Sequence, residues 1–78
     1  MNVITATEAT KRGIPVEELR AVAMWHDEAE YKATRMADLR RGFGSHAEAQ
    51  DYDASAWRHR IIKRNLMRTI AAMQEAQP

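Results

Sequence analysis

A chain of 78 residues makes one domain near the lower size limit at which a lone core sustains a fold, with no room for a catalytic domain beside a regulatory one. Its 45% hydrophobic residues separate it from disordered chains, and twelve Lys and Arg against eleven Asp and Glu leave a net charge of only +1; no overall field directs it to nucleic acid or to a membrane. With no cysteine, disulfide staples, thiolate zinc sites and cysteine nucleophiles are excluded.

The opening Met1-Asn2-Val3-Ile4-Thr5-Ala6 lacks the basic and apolar regions of a secretory leader, and no stretch approaches the roughly 18 apolar residues of a membrane span. A cytoplasmic location without a membrane partner is therefore expected. The chain is punctuated at two places only, Gly13-Ile14-Pro15 and Gly42-Phe43-Gly44-Ser45. Between them it is rich in strong helix formers, and no alternating β-branched run survives to suggest a strand.

Three helices are predicted, at about residues 6–12, 15–41 and 46–76. Thr5-x-x-Glu8 reads as a capping box for the first, and Gly13 ends it in the left-handed conformation. Pro15 pre-sets the first turn of the second, whose acids Glu17 and Glu18 suit the positive end of its dipole. Gly42 is expected in the left-handed conformation at the reversal. Ser45-x-x-Glu48 is a second capping box opening the third helix, which continues unless Asp51-Tyr52-Asp53 interrupts it. So short a connection makes helices two and three antiparallel. The expected fold class is all-α: a short N-terminal helix followed by a long helical hairpin.

Helix two carries a heptad-like seam of Leu19, Val22, His26, Ala29, Ala33 and Met36, and helix three a matching stripe of Ile62, Leu66, Thr69, Ile70 and Met73. Charge agrees with the register. Residues 14–30 hold Glu17, Glu18, Asp27, Glu28 and Glu30 against Arg20, whereas residues 54–74 hold Arg58, Arg60, Lys63, Arg64 and Arg68 with no acid. A second apolar surface remains on both helices: Ala54, Trp57, Ile61 and Ala72 on helix three, and Ala21, Trp25 and Leu39 on helix two. Such a surface marks an interface, so a homodimer resembling a four-helix bundle is expected, with Trp25, Leu39, Trp57 and Ile61 at its interface.

Catalysis is not expected. Only three glycines occur, all in turns, so there is no phosphate loop, and no Ser/His/Asp set is present. Asp51 and Asp53 point to different faces of a helix. A two-histidine, one-carboxylate cluster of His26, Glu30 and His59 is conceivable across the hairpin. However, Asp27 and Glu28 flank His26 and no second Glu-x-x-His is present, so neither metal nor cofactor is expected. Arg60, Arg64 and Arg68, with Lys63 beside them, form a basic strip bordered by Trp57 and Ile61. Arginines next to an aromatic anchor are typical of protein interfaces, so Trp57, Arg60, Ile61, Arg64 and Arg68 are the candidate binding residues for a partner protein with an acidic patch.

Residues 9–22, with small Ala9, turn Gly13 and packing positions Ile14, Val16, Leu19 and Val22, resemble a helix-turn-helix core. That resemblance implies a DNA-binding transcriptional regulator as the alternative function. The chain departs from the pattern at Arg12, where the family usually packs an apolar side chain, and Glu17 and Glu18 would face phosphates.

Overall fold

The computed structural model describes residues 3–76. It contains α1 (Ala6–Lys11), α2 (Val16–Gly42) and α3 (His46–Glu75), with no strand among the described residues. The termini follow backbone chemistry. Thr5 Oγ1 accepts the Glu8 N–H at 3.2 Å, satisfying one of the free donors of the first turn. At the other end of α1 the Gly13 N–H donates to Thr10 O and the Ile14 N–H to Ala9 O. These are the paired closing bonds of a Schellman motif, and Gly13 supplies the left-handed residue at φ 70°.

The same motif closes α2, but one residue pair later than the sequence suggests. Gly44 (φ 78°) holds the left-handed position, while its N–H donates to Arg41 O and the Ser45 N–H to Arg40 O. Gly42 is the last helical residue of α2. The expectation for Gly42 is thus corrected, because the Schellman bonds need the glycine just beyond the helix and Phe43 occupies the cap. The second capping box is also absent: Ser45 makes no side-chain cap bond. Glu48 instead turns back to α2, its Oε2 lying 3.2 Å from Arg40 Nε.

The helix α3 runs unbroken through Asp51-Tyr52-Asp53. Asp53 is held across the turn by Arg41, whose Nη1 donates at 2.7 Å. Arg41 also donates to Asp38 at 2.9 Å, and both carboxylates raise the pKa of its guanidinium.

The helices α2 and α3 pack along their length as an antiparallel hairpin, and α1 folds back onto α3. The molecule is a rod of 53 × 18 × 17 Å. Its packed positions on α2 are Leu19, Ala23, His26, Glu30, Ala33 and Ala37, all buried or half-buried and spaced four, three, four, three, four as a heptad demands. The predicted seam is therefore displaced. Leu19, His26 and Ala33 belong to it, but Val22 is 46% exposed, with Ala23 in its place. On α3, Leu66, Thr69, Ile70 and Met73 are buried and Ile62 is half-buried, as the periodicity predicts.

Side-chain size divides the rod. At the open end Leu19, Ala23, Leu66, Ile70 and Met73 close around Ala9 of α1, with Ile4, Ile14, Val16 and Ile62 packed against them. The Thr69 hydroxyl donates to Ile4 O at 2.8 Å and ties the N-terminal segment down. Toward the turn the buried residues are Ala33, Ala37, Ala49 and Ala56. Alanines take the place of large buried side chains there, so most of the transfer free energy that sustains the fold comes from the open end.

Candidate interaction surfaces

The seam's middle layers are polar. His26 and His59 meet with their Nδ1 atoms 2.8 Å apart, so one ring carries the proton of the shared bond and the other presents its lone pair. Trp25 closes over them edge-on, its ring centroid 4.9 Å from that of His26 and 5.7 Å from that of His59. Burial first, and the neighbouring His59 second, lower the pKa of His26. Glu30 does not join the pair. Its carboxylate accepts from Arg60 Nε at 2.9 Å and from Lys63 Nζ at 3.0 Å, and Lys63 also reaches Asp27 at 2.7 Å. No group of three metal-ligating side chains forms among the described residues.

This four-membered ion network joins the acidic half of α2 to the basic half of α3, as the charge segregation predicts. The hydrogen bond from Arg60 is the largest cause that lowers the Glu30 pKa. The bond to Asp27 leads in raising that of Lys63. Arg60 is thereby removed from the free basic strip; in the open hollow beside it Asp27, Glu30, Arg60 and Lys63 are matched to one another, while Glu28 and Lys32 on its rim have no ion pair among the described residues.

Two rows of side chains remain on the outside. The first is on α3: Trp57, Ile61, Arg64 and Arg68 follow one another at four, three and four residues, within an arc of about 60° at 3.6 residues per turn. Trp57 is 53% exposed, Ile61 is half-buried and both arginines are exposed. Neither Arg64 nor Arg68 has an ion pair among the described residues.

The second row is on α2: Val22, Trp25, Ala29, Lys32, Met36, Leu39 and Phe43, a complete three-and-four repeat. Val22, Trp25, Leu39 and Phe43 are 46, 60, 51 and 74% exposed. It lies beside the row that α3 covers, and the two rows differ by one residue in phase. Sequence reading merges them: of its seam positions Val22 is exposed, whereas Ala29 and Met36 are half-buried at the edge of the contact. The signal for separating them is the alternation Ala23, Glu30 and Ala37, small or charge-paired residues suited to a close helix contact.

The predicted dimer set is not brought together on one face. Trp25 stands about 160° around α2 from Asp27, which bonds Lys63, so Trp25 and Leu39 take the opposite flank of the hairpin. Trp57 lies about 60° around α3 from Arg60, on the ion-network flank. Residues 9–22 form a corner in which the backbone of α1 lies against α3, while Ala9 shares its buried cluster with Leu19 and Ala23 of α2 as well as with α3.

No described helix is long and apolar enough to cross a membrane. Compared with protein-family models, curated proteins and solved structures, the chain finds no match.

Proposed function

We propose that this chain is a small non-enzymatic protein-interaction module, a regulator or inhibitor that works as a helical homodimer and occludes a partner surface bearing an acidic patch. The observation that carries the reading is the outer row of α3. An apolar anchor pair, Trp57 and Ile61, continues into Arg64 and Arg68, which have no carboxylate of their own among the described residues. Anchors at i, i+4 and i+7 are how a helix lies in a groove of another protein. Apolar anchors supply affinity, and free arginines speed encounter and select an acidic surface. Arg60 borders this row but is engaged by Glu30, so it shapes the edge of the surface and is not a steering charge. The exposed apolar row on α2 supports self-association on a different flank, leaving Trp57 to the partner.

Affinity capture with the wild-type chain and with the double reversal Arg64→Glu, Arg68→Glu tests this reading. A specific protein is expected to be retained by the wild type and lost by the variant, with helicity and oligomeric state unchanged. Equal retention moves the site off α3. No retained protein together with tight, salt-steep binding to duplex DNA overturns the reading in favour of nucleic acid.

A further inference from the structure

The row on α2 also contains the information that selects its occupant. We propose that Val22, Trp25, Ala29, Lys32, Met36 and Leu39 form an antiparallel, two-fold contact with the same row of a second copy, α2 against α2. This deepens the homodimer reading above by assigning its surface and register.

Three observations carry it. The row follows the three-and-four repeat, its paired stretch from Val22 to Leu39 being about 26 Å at 1.5 Å per residue, and each such position can enter a hole on a facing helix. Its centre, Ala29, is small and half-buried, permitting close approach, while the exposed bulk lies toward the ends at Val22, Trp25, Leu39 and Phe43. With the two-fold axis between residues 30 and 31, Trp25 falls opposite Met36, Val22 opposite Leu39 and Ala29 opposite Lys32 of the other copy. Larger side chains thus meet smaller ones in these three layers, whereas Phe43 falls opposite Glu18 and lies beyond the paired stretch.

The charges choose the same alignment. Glu28 has no ion pair among the described residues. Arg35 only donates to the Tyr31 hydroxyl at 3.1 Å and lies 5.8 Å from that ring. Both sit on the outward shoulder of the row. The antiparallel register sets Glu28 of each copy beside Arg35 and Lys32 of the other, making the contact twice by symmetry. A parallel alignment would stack Lys32 on Lys32 at the centre. The α3 row cannot serve instead, because residues 54–74 contain no acid and two copies would oppose arginines.

Sedimentation equilibrium at low micromolar concentration tests the assignment, with helicity checked by circular dichroism. The wild type is expected to dimerise and Leu39→Glu to sediment as a monomer with unchanged helicity. Glu28→Arg and Arg35→Glu should each weaken the dimer by about tenfold, which corresponds to roughly 1.4 kcal/mol. The combined swap should recover most of that loss. A wild-type dimer indifferent to Leu39→Glu and to the charge variants overturns this surface while leaving self-association standing. A wild type that remains monomeric overturns both.

Discussion

Replacing Ile70 by Ala tests the claim that the open end sustains the fold. Ile70 is 2% exposed and sits among Ala9, Leu19, Ala23, Leu66 and Met73. Truncation removes three carbons worth about 0.8 kcal/mol each by transfer. The rod has few large side chains able to refill the space, so a cavity term adds to this and brings the expected loss to about 3–4 kcal/mol. A chain of 78 residues has a total stability of roughly 4–12 kcal/mol, so the variant should be close to unfolding. Urea denaturation followed at 222 nm measures it. With a slope near 1 kcal/mol per molar, the midpoint should fall by about 3 M at constant slope. Met24, 66% exposed, is the control, and Met24→Ala should cost under about 0.5 kcal/mol. If Ile70→Ala cost less than about 1 kcal/mol, or if both variants cost the same, the division of the rod into a packed end and an alanine seam would be wrong.

Gly44→Ala should destabilise by about 1–2 kcal/mol because φ is 78°, whereas Gly42→Ala should stabilise by about 0.5–1 kcal/mol because it is helical; thermal melts at one protein concentration compare them, with open space beside each new Cβ. Thr69→Val should cost about 1 kcal/mol, and hydrogen exchange should show faster opening of the N-terminal segment released from the Thr69 hydroxyl. The lowered pKa of His26 means that the unfolded chain binds more protons there. Stability is therefore complete above the ordinary histidine value of about 6.5 and declines as pH falls through it toward the lower folded value. Stability measured against pH should show that slope, and His59→Gln, which removes the smaller of the two causes and leaves burial in place, should lessen it without abolishing it.

Much of the fold is legible in the residues. Thr5, Gly13, Pro15 and the turn around Gly44 mark helix ends through backbone bonding rules that act within five residues, and the helix bounds agree within about one position. The opposed charges of Asp27 and Glu30 and of Arg60 and Lys63 mark the antiparallel partner face. What periodicity could not assign is phase. The rows through Ala23 and Val22 both satisfy a three-and-four spacing, and only the contact with α3 decides between them. It selects the smaller residues, because Ala23, Ala33 and Ala37 let the helices approach while Trp25 and Met36 would hold them apart. The fate of Arg60 is a similar matter. Its place in a strip with Arg64 and Arg68 is periodic, but its ion pair depends on Glu30 from another helix.

The central claim is that Trp57 and its row meet a partner while Trp25 and its row do not. Trp25→Phe leaves Trp57 as the sole tryptophan of the two in the chain, and its emission can be followed as the captured protein is added. The account predicts a shift to shorter wavelength as a half-exposed indole becomes buried, with no such shift in the Trp57→Phe chain that reports Trp25. Partner binding that leaves the Trp57 emission unchanged, or moves only that of Trp25, would contradict it.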